Sequence, residues 1–180
     1  MVQKIGEIFN DTIEKEEKDK IKMITTFDPV VNELFFAKRV VLLEGDTEYI
    51  IFPLVAEMLN SFSGEENQYK KREATFINCR SRDFIPAFQR VLNYYEIPYV
   101  VVHDLEGEAK GEGTNGKILD LLGQDELRRK YFDPKIETYL GAVDTGTKWF
   151  NVLKRVNDLK ISGNLESKLG SYVKFIYNLS

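Results

Sequence analysis

The chain has 180 residues, 43% of them hydrophobic, enough for one compact domain, or one domain with a small appendage, to bury a core. Collagen-like, mucin-like and fully disordered classes are excluded. Twenty-five Lys and Arg against 29 Asp and Glu leave a net charge of −4, so no global field draws the chain onto nucleic acid or an anionic membrane, and any such contact has to be local. The lone Cys79 cannot close an intramolecular disulfide, the N-terminus lacks the pattern of a secretory leader, and apolar runs such as Val40–Leu43 and Tyr99–Val102 fall far short of the roughly 20 residues of a spanning helix. The expectation is an intracellular, cytoplasmic protein with no membrane partner.

Residues 1–34 read as a helical connector, with Ile5, Ile8, Phe9, Ile13, Ile21 and Ile24 punctuating a mixed-charge stretch at helical spacing. Acids and bases between them nearly cancel, which describes a solvated helix face and not a basic patch. Asp28-Pro29 breaks the pattern, because the residue before proline is pushed out of the α region.

From Lys38 onward, short apolar runs alternate with turns and helix-period stretches. The first unit predicts a strand over Arg39–Leu43, a turn at Glu44-Gly45-Asp46 and a helix from Thr47 to Asn60. The second predicts a strand over Ala74–Ile77, a polar turn from Asn78 to Arg82 and a helix over Phe84–Tyr95. A third strand, Pro98–Val102, leads into the turn His103–Glu108, a glycine-rich loop and a helix capped by Thr114 or Asn115. Unbroken apolar strands such as Tyr99–Val102 suit a parallel sheet covered on both faces. After Lys130 the pattern is mainly helical to Ser180. The predicted fold class is therefore α/β: a parallel sheet of about four strands sandwiched by helices, with an N-terminal helical connector over 1–34 and, over 35–180, the main domain with a helical C-terminal extension.

In open parallel sheets, ligands bind beyond the carboxyl ends of the strands. Here those positions are acidic. Glu44 follows the first strand, Glu48 lies one helical turn further on, and Asp104 and Glu106 follow the third strand two apart, so both can point into one cavity. Crowded carboxylates raise one another's pKa unless a cation neutralises them, and an all-oxygen set suits Mg2+ or Mn2+. Arg80 and Arg82 lie in the turn on the same edge, where they could grip DNA phosphates.

Other signals carry less. Gly111–Lys117 has the spacing of a phosphate loop, yet Ile118 stands where Ser or Thr would hold Mg2+ and no strand precedes it. We read it as a loop beside the site. His103, Tyr131 and Tyr139 are expected to be packing residues, Trp149 and Phe150 core, and Cys79 inert.

The segments Phe35-Phe-Ala-Lys-Arg-Val-Val-Leu-Leu-Glu-Gly-Asp-Thr-Glu48, Ile97-Pro-Tyr-Val-Val-Val-His-Asp-Leu-Glu106 and Phe132-Asp-Pro-Lys-Ile-Glu137 resemble the Toprim nuclease domain of the OLD (overcoming lysogenization defect) family. The resemblance covers roughly residues 27–150. It implies a Toprim catalytic domain, usually placed after an ATPase domain or subunit, that nicks or cleaves DNA with two divalent ions. Position by position, Glu44 resembles the Toprim glutamate, Glu48 the second family glutamate, Asp104 and Glu106 the Asp-x-Asp pair, and Glu137 a later metal-binding glutamate. Glu106 departs from the pattern, which has Asp there. Lys148 resembles a later basic residue on the scissile phosphate. The metal set implied is Glu44, Glu48, Asp104, Glu106 and Glu137, and the catalytic set Glu44, Asp104, Glu106 and Lys148. Glu137 and Lys148 lie outside the strand-end cluster and rest on the resemblance. Two alternatives stay open: a Toprim module of topoisomerase or primase type, and a catalytically silent DNA-repair binding module.

Overall fold

The computed structural model describes residue 37, residues 39–63 and residues 74–177; the connector expected over 1–34 lies outside the described residues. Strand β1 (Val40–Leu43) consists of four buried aliphatic residues, as expected of a strand with neighbours on both sides and helices on both faces. It pairs with β2 (Thr75–Asn78) and β3 (Tyr99–Asp104), and β4 (Arg129–Phe132) lies beyond β3. The sheet order is β2-β1-β3-β4, and every pair is parallel. This is the four-stranded parallel α/β architecture expected from the sequence.

The alternation of side chains along the strands divides the core in two. Val41, Leu43, Val100 and Val102 join a cluster closed by α1 (Asp46–Ser63), α4 (Ile136–Leu140), α5 (Lys148–Ile161) and α6 (Ser171–Tyr177). Val40, Leu42, Tyr99 and Val101 face the opposite cluster, closed by α2 (Ile85–Tyr94) and α3 (Gly113–Leu121). Leu43 is level with both Asn78 and Val102, so β1, β2 and β3 open at one edge. There Glu44 and the end of β3 come together. No described helix is long and apolar enough to cross a membrane.

Three expectations are corrected. β4 falls where the sequence pattern is mainly helical, and Arg-Lys-Tyr-Phe is a polar strand by composition. It works as an edge strand because tertiary partners satisfy it. The buried Arg129 guanidinium is held by Glu126 at 2.8 Å and by the carbonyls of Lys110 and Asn115, each at 3.0 Å, while Phe132 stacks on Tyr172 at 4.4 Å between ring centroids. Next, β3 continues to Asp104 where Val102 was the expected end, since β4 gives residues 103 and 104 a pairing partner. Finally, neither Thr114 nor Asn115 caps α3. The helix already starts at Gly113; the Thr114 hydroxyl donates to Asp83 at 2.7 Å, and Asn115, fully buried, donates to the Leu105 carbonyl at 3.2 Å. A Cβ at Gly116 would meet the Gly111 carbonyl oxygen at 2.5 Å, so the glycine there lets α3 pass directly over the preceding turn. The helical tail after β4 is as expected, with α4, α5, a π-helical turn at Glu166–Gly170 and α6.

Candidate active site

Glu44 leaves the sheet directly after the buried end of β1, and its Oε2 accepts a hydrogen bond from the Asp104 backbone N–H at 2.9 Å. Burial raises its pKa to about 7 even against that bond. Glu48 sits one turn further on, in the first turn of α1, and is buried. Its pKa is also raised, by burial first and then by the charges of Glu44 and Glu137. Asp104 closes β3; its Oδ1 accepts from the Ile136 N–H at 3.1 Å. Its carboxyl is pushed well up by burial, then by Glu48, Glu44 and Glu137. Glu137 comes from the first turn of α4 and is buried. Sequence spacing leaves Glu137 outside the strand-end cluster. The structure brings it into the field of Glu48 and Asp104, because β4 returns the chain to the open edge just before α4.

Glu106 lines the same cleft from its rim. The chain turns sharply there: Glu106 has φ 52°, a left-handed conformation unusual for a residue with a side chain, and its N–H donates to the Pro134 carbonyl at 2.8 Å. Its carboxylate, half exposed, pairs with Arg82 at 3.4 Å. Arg82 is not on the cleft surface where a phosphate-gripping residue was expected. It is buried, donates to the Leu105 carbonyl at 2.7 Å and reaches Glu108 at 3.3 Å. A buried guanidinium with carboxylate and carbonyl partners works as a strut under the 105–108 turn. Arg80, by contrast, does line the cleft.

On the opposite rim, Asp144 accepts from the ammonium groups of both Lys135 and Lys148, the latter at 3.2 Å. These hydrogen bonds, Lys135 first, hold the Asp144 carboxyl below its ordinary range. Lys135 was missed by sequence reading; a single lysine after a proline carries no signal, and only the fold puts it at the cleft. Trp149 and Phe150, expected in the core, are 37% and 44% exposed. The core stripe of α5 is made instead by Val152, Val156 and Leu159, and Trp149 lines the cleft.

His103 is packed, as expected. It is fully buried, its Nδ1 lies 2.8 Å from the Asp104 carbonyl oxygen, and burial lowers its pKa to about 4, so it is neutral at physiological pH. Cys79 is buried with its thiol pKa raised, which makes it a poor nucleophile.

These elements enclose an open cleft of about 430 Å³ lined by Glu44, Glu48, Asp104, Glu106 and Glu137 and, around them, by Arg80, Lys135, Lys148 and Trp149. The donors are all carboxylate oxygens whose mutual repulsion and burial favour a counter-cation, so the chemistry of the set fits a hard divalent ion. Among the described residues no three acid, histidine or cysteine side chains are gathered tightly enough to cage an ion as they stand. The site is therefore an open acidic floor with a cationic rim.

A parallel α/β sheet with such an acidic cleft at its carboxyl edge is a Toprim-like arrangement. Residues 35–105, the segment that holds Glu44, Glu48 and Asp104, match the family model described as overcoming lysogenization defect protein-like, TOPRIM domain. Glu106, Glu137 and Lys148 lie beyond the matched residues. The solved C-terminal region of the Burkholderia pseudomallei OLD protein is 17% identical, with a TM-score of 0.45 over 80% of this chain and 88% of that one. No curated protein matches the chain.

Proposed function

We propose that this chain is the catalytic Toprim part of a divalent-metal-dependent DNA nuclease that hydrolyses phosphodiester bonds, working in the cytoplasm with an ATPase domain or subunit N-terminal to it. The observation that carries the reading is the floor itself: Glu44, Glu48, Asp104 and Glu137 meet at one sheet edge from β1, α1, β3 and α4, where burial raises the first three and neighbouring carboxylates add to it. Such a cluster is unfavourable for folding unless protons or a cation offset its charge, because each buried carboxylate disfavours its neighbours.

Glu44, Glu48, Asp104, Glu106 and Glu137 would hold Mg2+ or Mn2+. Two such ions, when bound, supply Lewis acidity to the attacking and leaving oxygens of an in-line displacement. The chain's own residues do the rest. Backbone amides fix the Glu44 and Asp104 carboxylates, at 2.9 and 3.1 Å, so their orientation is set before any ligand arrives. Arg82, through Glu106, fixes the rim turn. Lys148, which lines the cleft, would meet the charge that builds on the phosphate oxygens, and preorganised charge of this kind is worth most where charge develops. Asp144 keeps the Lys148 and Lys135 ammonium groups at the mouth of the cleft.

The test is nicking of supercoiled plasmid by the purified chain with Mg2+, with Mn2+ and with EDTA. Nicking that needs the metal and disappears in Glu44→Gln supports the proposal. Failure to nick with either metal, in a folded preparation, removes it.

A further inference from the structure

Trp149 is the single tryptophan of the chain, and it is the only aromatic side chain among the described residues that line the cleft. It stands directly after Lys148 at the start of α5, edge-to-face with Phe150 at 5.8 Å between ring centroids. Lys154 in turn lies 4.5 Å from the centre of the Phe150 ring. The pair is not core, because α5 is anchored by its other face. A partly exposed indole is out of place in a cleft whose remaining walls are charged, polar or glycine, and the open third of Trp149 forfeits part of its burial energy. The ligand that matches both features carries a phosphate and, one sugar away, a flat apolar face.

We propose that Trp149 is a base-stacking platform and that the cleft takes a DNA strand whose nucleotide beside the bound phosphate is unpaired. The inference rests on the nuclease reading and narrows its substrate class to single strands, flaps or frayed ends. In a duplex both faces of each base are covered by its neighbours, so the indole finds a partner only where a base is unstacked. Lys148, beside it, provides the phosphate contact.

The sole tryptophan makes the test direct. Emission of the full chain is titrated with an oligothymidylate, with an abasic strand of equal length and with a blunt duplex, Ca2+ being present to offset the acidic floor. The expected result is saturable quenching by the oligothymidylate and little by the other two. By anisotropy of a labelled oligothymidylate, Trp149→Ala should bind about tenfold more weakly and Trp149→Phe near the wild-type level. Thermal melting of both variants should match the wild type, since the residue is outside the core. Equal quenching by duplex and strand, unchanged affinity of Trp149→Ala, or an indole shielded from acrylamide in the free chain overturns the inference. The plasmid assay judges the nuclease reading separately: metal-dependent nicking that survives in Trp149→Ala with no preference for unpaired DNA sinks the stacking platform alone.

Discussion

Glu44 and Asp104 stand at the ends of paired strands with their carboxylates tied to backbone amides, whereas Lys135, Asp144, Lys148 and Trp149 stand on the segments around α4 and α5 with side chains that reach solvent. The two halves of the cleft thus differ in what holds them. Floor acids are placed by sheet register and cannot move without disturbing β1 or β3, and their burial makes each one's charge felt by the others. Rim residues are placed by side-chain ion pairs, which in exposed positions contribute little to stability and rearrange readily. Floor substitutions should therefore act on whether chemistry happens, and rim substitutions on how fast.

The largest expected effect is on the floor. Glu44→Gln and Asp104→Asn keep the acceptor for the Asp104 and Ile136 amides but remove a charge, so both should stay folded and lose plasmid nicking by about a thousandfold or more, ~4 kcal/mol in barrier. Residual rates near wild type would show that the floor is not the reacting site. Glu137→Ala should sharpen the comparison: its nicking should vanish at low metal and recover in part as metal rises, because a lost ligand weakens affinity. A rate that is unaffected by metal concentration would move Glu137 out of the metal set.

On the rim, Lys148→Ala is expected to cost about a hundredfold, ~3 kcal/mol, and to stay defective at saturating metal, since it removes charge stabilisation and no ligand. Asp144→Ala releases both lysines without deleting either, so a loss of about tenfold at most is expected, with unchanged metal dependence. If Asp144→Ala proves as damaging as Lys148→Ala, the rim is a rigid part of the machinery and the contrast with the floor fails.

The smallest effect is on stability. Glu44 titrates at about 7 in the fold against 4.5 as the ordinary value, so between those values the folded chain holds a proton that the unfolded chain has released, and stability falls as pH rises through that window. Glu48 and Asp104 act in the same direction. His103, with its pKa lowered to about 4, acts oppositely, but only below its ordinary value of 6.5. The clean window is thus above pH 6.5, where Asp104, raised to about 9, carries most of the effect, and the metal-free chain should melt lower at pH 8 than at pH 6.5, by a few degrees at about 2–4 °C per kcal/mol. Mg2+ should raise the melting temperature more at pH 8 than at pH 6.5, as binding to the folded state stabilises it. A melting temperature independent of pH and Mg2+ would show that the fold does not raise the floor carboxyl groups.

How much of this was legible beforehand depends on how local each signal is. The strands β1 and β3 could be read within a residue or two because an unbroken apolar run needs no partner to declare itself, and Glu44, Glu48 and Asp104 followed from their position just after or just inside those runs. β4 could not be read, since Arg129 and Tyr131 become strand residues through Glu126, Lys110, Asn115 and the β3 edge. Composition alone also sent two side chains to the wrong environment. Trp149 is apolar enough for a core and sits on a cleft, and Arg82 is charged enough for a surface and is buried beneath a turn. For Arg82 the deciding contacts come from the distant 105–108 turn; for Trp149 it is the opposite face of α5, through Val152, Val156 and Leu159, that takes the core.

By itself the sequence determined the α/β alternation and the acidic strand ends, because periodicity and the residues after an apolar run are local properties; the resemblance to the OLD Toprim domain rests separately on the segments around Glu44, Asp104 and Glu137. Only the tertiary structure decided that Glu137 joins the floor, that Asp144 ties Lys135 to Lys148, and that Arg82 supports the turn bearing Glu106. Those facts depend on β4 pairing parallel to β3, and strand pairing sets which distant residues meet.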